Sequence, residues 1–378
     1  MKIRHWLRFP MDIRRAKHKL GHKYCMDASF TGRSIALDLH TPDLMFDCGR
    51  HFAAFAHWTS ENKSPLVLRC SRLLLAAIGR KPFGGQMLEM PNVAWVDTDA
   101  ILPRNALVIT DQTSDHTSRL MLGQQILHLQ IGRDVVDGSA IAPYPMHPNV
   151  APFAEDDVLA ECRKTANRSG IFFAGSQRAK YGRAVIGRDF GVMNRLEILN
   201  TLRKSFRSRV VTEIKDDDKP KPTSGEQPIV LPDAGSTNIT PDVWLETLAK
   251  HQFFLCCPGI AQPMCHNMTE SMSVGTIPII EYGDRVVPQL QDGVNAICFS
   301  GSDGLISAID RIDQMSLEQI GSLSSAASEF YDNHLSGKRF MAKLCDPAAS
   351  GDKTHLCLPF HSENLFEATV KTAHAQVA

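Results

Sequence analysis

The sequence has no excess of either charge. Lys and Arg together number 41, as do Asp and Glu, so no global field points to nucleic acid as a partner. No apolar run approaches the ~18 residues that a membrane span needs, and no signal peptide is read at the start. The ten cysteines form neither a CxxC pair nor a regular framework. Several, such as Cys256, Cys257 and Cys298, sit in apolar runs, so the expectation is reduced core thiols in a cytoplasmic protein. No set of His, Cys, Asp and Glu has ligand spacing, and no metal or bound cofactor is expected. At 43% hydrophobic and 22% charged over 378 residues, the composition suits an ordinary globular protein with two cores.

Residues 1–27 form a basic arm, in which eight Lys/Arg face two Asp and Trp6, Leu7 and Phe9 are interleaved. An arm packed on its own protein is the first expectation, and peripheral contact with a membrane surface the second. Residues 28–150 read as an α/β domain with strands at Ser34–His40, Pro65–Cys70, Val93–Val96, Ala106–Thr110 and Ile126–Leu129, and with poorly marked helices. The proline-rich text from Gly132 to Pro152 prevents helix continuation and places the domain crossing. A second α/β domain, 165–335, carries strands at Ile171–Gly175 and Arg209–Ile214, and helices at Met193–Phe206, Pro241–Lys250, Leu305–Ile312 and Leu317–Tyr331. Thr240 is expected to cap the Pro241 helix. Asp216–Pro228 reads as an exposed loop, and its three aspartates as solvated.

The most informative stretch is Phe253–Asp284. Phe253–Cys257 suits a buried parallel strand stopped by Pro258-Gly259. A helix is expected from about Cys265, because Met268, Met272 and Val274 recur near helical spacing, and Gly275 ends it. Thr276–Glu281 is the next strand. Such a crossover places ligands at the carboxyl ends of the strands, here beside a helix N-terminus suited to an anion.

Within this stretch ESMSVGTIPIIEYGD (Glu270–Asp284), followed by Pro288, Leu290 and DGVNAICFS (Asp292–Ser300), resembles the donor half of GT-B glycosyltransferases. FFLCCPG and IFFAG (Ile171–Gly175) resemble the exostosin-like branch most closely in texture. The resemblance covers roughly 165–335. It departs from the pattern at Gln262, where many retaining members carry a second Glu, and at Asn267, near which the exostosin-like Arg is missing. The resemblance implies two Rossmann-like α/β domains facing across a cleft, with 336–378 packing back on the first. It also implies transfer of a sugar from a nucleotide-sugar donor to a glycan or other hydroxyl acceptor. Two other readings stay open: a sugar-nucleotide epimerase of the same shape, and a binding protein without turnover.

Glycosyl transfer requires a neutralised leaving diphosphate, a fixed ribose and base, and an acceptor that loses a proton. The resemblance makes Glu270 the ribose contact, expected in the first turn of its helix, with Gln262, His266 and Asn267 near the sugar or diphosphate. After the strand at Ile171, Gly175 allows close backbone approach, and Arg178, Lys180 and Arg183 offer charge to phosphate. The acceptor base is sought among Asp38, His40, Asp115 and His116, at strand ends of the first domain. Asp97-Thr98-Asp99 has the DxD spacing of metal-dependent GT-A enzymes but reads as a turn.

Overall fold

The computed structural model describes residues 3–21, 29–42, 44–45, 49–112, 124–132, 135–212, 226–233, 235, 237, 239–260 and 262–359. The chain divides into two compact units, one of Met1–Pro148 with Ser336–Leu358 and one beginning at Asn149 and running to Leu335.

The first unit opens with helix α1 (Ile3–Leu20), then β1 (Ile35–Leu39), α2 (Arg50–Glu61), β2 (Leu66–Cys70), α3 (Arg72–Arg80), α4 (Pro82–Glu89), β3 (Val93–Val96), β4 (Leu107–Thr110), β5 (Gln125–Ile131) and β6 (Ala140–Ile141). The second unit holds α5 (Asp156–Arg163), β7 (Ile171–Phe172), α6 (Val185–Phe190), α7 (Arg195–Ser205), β8 (Val210–Val211), β9 (Ile229–Val230), α8 (Trp244–Ala249), β10 (Phe253–Cys256), α9 (His266–Ser273), β11 (Ile277–Ile280), β12 (Ile297–Cys298), α10 (Gly301–Asp313) and α11 (Leu317–Phe330). The chain then returns to the first unit with α12 (Gly337–Cys345), α13 (Pro347–Ser350) and β13 (His355–Leu358).

Each unit is built on one parallel sheet. The first has strand order β3-β2-β1-β4-β5-β13-β6, the second β12-β11-β10-β7-β9-β8, and every pairing is parallel. The central strands IALDL, LVIT, FFLC and IPII are buried along their whole length. Continuous burial is what a parallel strand covered on both faces requires, and both units are Rossmann-like in this sense. In the first sheet the chain runs outward from β1 through β2 to β3, then returns to β4 on the other side of β1. In the second sheet β7 lies between β9 and β10 in the same way. Each sheet therefore has a topological switch point, β1/β4 and β7/β10, where polar groups collect at the carboxyl ends.

Helix α9 follows the expected text closely. Its C-terminus is closed by Gly275 at φ +75, by Arg163, which donates to Ser273 O at 2.8 Å, and by Arg168, which donates to Val274 O at 2.8 Å. Elsewhere the chain departs from expectation. Helix α8 starts at Trp244 rather than Pro241, because Val243 N–H and Trp244 N–H bond back to Thr240 and Pro241 as a turn. Thr240 is thus not its N-cap. Strand β7 is only two residues long, and Gly175 makes an isolated bridge to Asp233. Strand β8 stops at Val211, and the aspartates 216–218 lie outside the described residues. Asp97-Thr98-Asp99 is a turn, in which Asp97 accepts from Thr98 N–H at 2.9 Å and pairs with Arg72 at 3.0 Å.

The returning helix α12 packs through one close approach. A Cβ on Gly337 would lie 1.8 Å from Trp58 Nε1, and Trp58 stacks edge-on to Phe340 at 5.8 Å. Gly337→Ala is expected to cost about 1–3 kcal/mol, as overpacking does. Gly321, inside α11 with nothing within 4 Å of its built Cβ, is the control: Gly321→Ala is expected to stabilise by roughly 0.5–1 kcal/mol. Chemical denaturation of the two variants checks both signs.

Candidate functional site

In the first unit the register places Asp38 of β1 beside Arg69 of β2 and Thr110 of β4. Registered residues of parallel strands share a face, so three polar side chains meet inside the sheet. Asp38 is fully buried. Its Oδ1 accepts from Arg69 Nε at 2.7 Å, and its Oδ2 from Thr110 Oγ1 at 3.1 Å. His40 lies on the same side two residues on, with Nε2 3.2 Å from Asp38 Oδ1 and about a third of its side chain exposed (32%). A buried carboxylate requires donors, which fixes Nε2 as the protonated nitrogen of His40 and leaves Nδ1 as the acceptor. Asp111, at the end of β4, accepts from His40 N–H at 2.9 Å and from Thr41 N–H and Oγ1 at 2.7 Å each. That carboxylate closes the β1/β4 switch point over the histidine. As placed, Asp38 orients the His40 imidazole, which reaches solvent. Asp115 and His116 lie outside the described residues.

Helix α2 starts near this point, after Gly49 in the left-handed region at φ 81. Its first two residues, Arg50 and His51, are buried, and Arg50 Nη1 approaches Tyr144 Oη at 3.5 Å. Burial and the Arg50 charge push His51 down to about 3 and His147 to about 4. Both histidines are therefore neutral at physiological pH.

In the second unit the loops after β7 and β10 frame the β7/β10 switch point, and one side chain joins them. Arg195, the first residue of α7, is buried at 6% exposure. It donates from Nη1 to Ser176 O at 3.0 Å and from Nη2 to Pro258 O at 3.1 Å. Its guanidinium lies 3.8 Å from the Tyr181 ring centroid and 5.6 Å from that of Phe173. Its Nε is buried without an acceptor, and no carboxylate pairs with it among the described residues. Gln262, on the β10 loop, is also buried (7%), and its Oε1 has no donor among the described residues. The loop is folded tightly there: a Cβ on Gly259 would lie 2.7 Å from Gln262 O.

The loop leads into α9 through Cys265, which is extended and makes no side-chain cap. Cys265 Sγ instead donates to Asn267 Oδ1 at 3.5 Å and lies 3.9 Å from His266 Nδ1. Since α9 begins at His266, Glu270 stands in its second turn rather than its first, and the dipole acts on it correspondingly less. Its carboxylate is fully buried and accepts from Trp244 Nε1 at 2.7 Å, and the Trp244 ring packs against Phe172 and Phe254. Gly175 serves packing, since a Cβ there would meet the Phe173 ring at 2.6 Å. Arg178, Lys180 and Arg183 are exposed, with Lys180 Nζ 5.3 Å from the Tyr181 centroid. The structure thus brings Gln262, His266 and Asn267 together at one loop and helix start, while the three loop cations remain on the surface.

Arg195 is the residue that sequence reasoning misses. Asn194-Arg195-Leu196-Glu197 is a capping box, present in full, and a cation in that text reads as helix surface. The signal that finds it is the aromatic text on the preceding loop, Phe173 and Tyr181, which supplies a stacking surface.

Among the described residues no group of three or more His, Cys, Asp or Glu is placed to hold a metal ion, and no helix is long and apolar enough to cross a membrane. No family model and no curated protein matches the sequence. Among solved structures the chain is similar to a glycosyltransferase from Rickettsia africae, at 10% identity over 82% of this chain and 96% of that one, with a TM-score of 0.46. It is similar to HepE of Anabaena in complex with UDP and glucose, at 8% identity over 84% and 100% of the two chains, with a TM-score of 0.39. Sucrose-phosphate synthase from Thermosynechococcus elongatus follows at 11% identity, 80% and 77% coverage, and a TM-score of 0.31.

Two stability effects follow. Asp38→Asn removes the partner of a buried guanidinium and is expected to cost about 3–5 kcal/mol, against little for His40→Ala, in urea denaturation. Because His51 and His147 titrate lower when folded than the ~6.5 of an unfolded chain, the unfolded state binds more protons below that pH. Stability is then full above about pH 6.5 and falls as pH drops, by roughly 2 kcal/mol at pH 5 for His51 alone. His51→Phe is expected to flatten this fall between pH 6.5 and 5, a window above the titration of ordinary carboxylates.

Proposed function

We propose that the chain is a glycosyltransferase that moves a sugar from a nucleotide-sugar donor, held by the second unit, to a hydroxyl acceptor. One observation carries the reading. At a single switch point lie a buried guanidinium (Arg195) and a buried amide oxygen (Gln262) that have, among the described residues, no counter-anion and no donor respectively. Both are costly unless a ligand completes them. The complement is a molecule that bears an anion and hydroxyl donors together, which describes a sugar diphosphate.

On this reading Arg195 and the uncapped N-terminus of α9 neutralise the leaving diphosphate, and Gln262 accepts from a sugar hydroxyl. His266 and Asn267 line the same turn. Arg178, Lys180 and Arg183 raise the local concentration of the anion from the surface. Glu270 supports α9 from behind through Trp244, and reaches a ribose only by exchanging that bond. In the first unit His40 Nδ1 is the group that takes the proton of an acceptor hydroxyl. Asp38 stabilises the imidazolium so formed. No step is assigned to a metal.

The test is a thermal-shift panel of UDP-, GDP- and other nucleotide sugars, followed by turnover with and without acceptor alcohols. One donor is expected to raise the unfolding temperature, and turnover to survive EDTA. His40→Ala should keep that shift while lowering turnover by about 10²–10⁴-fold. Absence of a shift with every nucleotide sugar would overturn the reading, and a chelator loss restored by Mn²⁺ or Mg²⁺ would move the diphosphate contact to a metal.

A further inference from the structure

Helix α1 buries one face and leaves the other with a single sign of charge. Ala16 and Leu20 are buried against the first unit, and so is Asp12, which pairs with Arg80 at 3.7 Å. A Cβ on Gly79 of α3 would lie 2.7 Å from Ala16 Cβ, so the two helices approach closely. At 100° per residue the opposite arc carries Arg8, Met11, Arg14, Arg15, Lys17 and His18, all exposed. Asp12 is the only acid among residues 8–21 and is turned to the body.

Among the described residues no carboxylate pairs with Arg8, Arg14 or Arg15, and Lys17 Nζ sits 5.5 Å from the Trp95 ring centroid. Cations three and four apart on one helix repel by a few tenths of a kcal/mol per pair. The helix holds this arrangement although the whole chain is neutral, so the charge is concentrated rather than general.

We infer that the outer face of α1 docks on an anionic lipid bilayer. Two features favour lipid over nucleic acid. Met11, 56% exposed, stands between Arg14, Arg15 and His18 on the arc, where an apolar side chain enters the headgroup boundary. The arc also offers no Asn, Gln, Phe, Tyr or Trp to read bases. The apolar face is already used by the protein. Attachment is therefore electrostatic, reversible and sensitive to salt.

The experiment is co-sedimentation of the full chain with vesicles of phosphatidylcholine alone, or with about one-third phosphatidylserine, at about 0.15 M salt. The expected result is binding to the second and not the first, lost at about 1 M salt. Arg14→Gln, Arg15→Gln and Lys17→Gln combined should weaken it about a hundredfold, at roughly fivefold per cation, with an unchanged unfolding temperature. Met11→Gln alone should weaken vesicle binding but not binding to a single-stranded RNA homopolymer. No binding to anionic vesicles, equal binding to neutral ones, or binding to the homopolymer alone would overturn the proposal, as would loss that tracks unfolding of the combined variant. None of these residues belongs to the loops at either switch point, so nucleotide-sugar turnover in solution is expected to be unchanged in both variants.

Discussion

Strands buried on both faces leave a chain almost nowhere to put polar chemistry. Each sheet here is parallel and covered above and below, so charged groups either find partners inside the sheet or emerge at the carboxyl ends. The two switch points show both outcomes. At β1/β4 a carboxylate is matched across adjacent strands by Arg69 and Thr110, and the histidine beyond it inherits a fixed tautomer. At β7/β10 a guanidinium is held by two carbonyls and an aromatic face, and its charge has no match among the described residues. The first arrangement is complete without a ligand. The second is not, and that is the reason for proposing the donor there.

That contrast also ranks the cations of the second unit. Exposed Arg178, Lys180 and Arg183 are hydrated and screened, and each contributes little to holding an anion in place. A buried guanidinium acts in a medium of lower dielectric, where the same charge is worth several times more. It is pre-positioned as well, since the bonds to Ser176 and Pro258 fix its plane before any ligand arrives.

Much of this was legible in the text of the chain. The central strands are legible because parallel strands declare themselves as short continuous apolar runs, and α9 is because methionines recur at its period and Gly275 marks its end. Strands β6 and β9 are too short to stand out, and β13 does not stand out either. The errors share a cause. Glu270 reads one turn too close to the helix start because Cys265 reads as that start although its backbone is extended. The Thr240-Pro241 cap follows a local rule that the turn before Trp244 overrides. The helices of the first unit are poorly marked because α2 buries polar Arg50, His51 and Thr59 along with its apolar residues and α4 contains Gly84 and Gly85. Arg195, Arg50 and His51 were illegible for another reason: tertiary packing, not local pattern, decides that a charged residue is buried.

Strand β13 lies between β5 and β6, and it is the neighbour that joins β6 to the sheet. The first sheet therefore contains a strand that is synthesised more than two hundred residues after the one beside it. On the ribosome the second unit, whose strands all lie between Ile171 and Cys298, has every one of them available while the first still presents an unfilled slot beside β5. The order of synthesis and the order of completion are reversed. Until residues 355–358 arrive, the exposed edge of β5 is open to any other extended segment, so the nascent chain has its greatest need of chaperone protection late, after most of the protein has already folded.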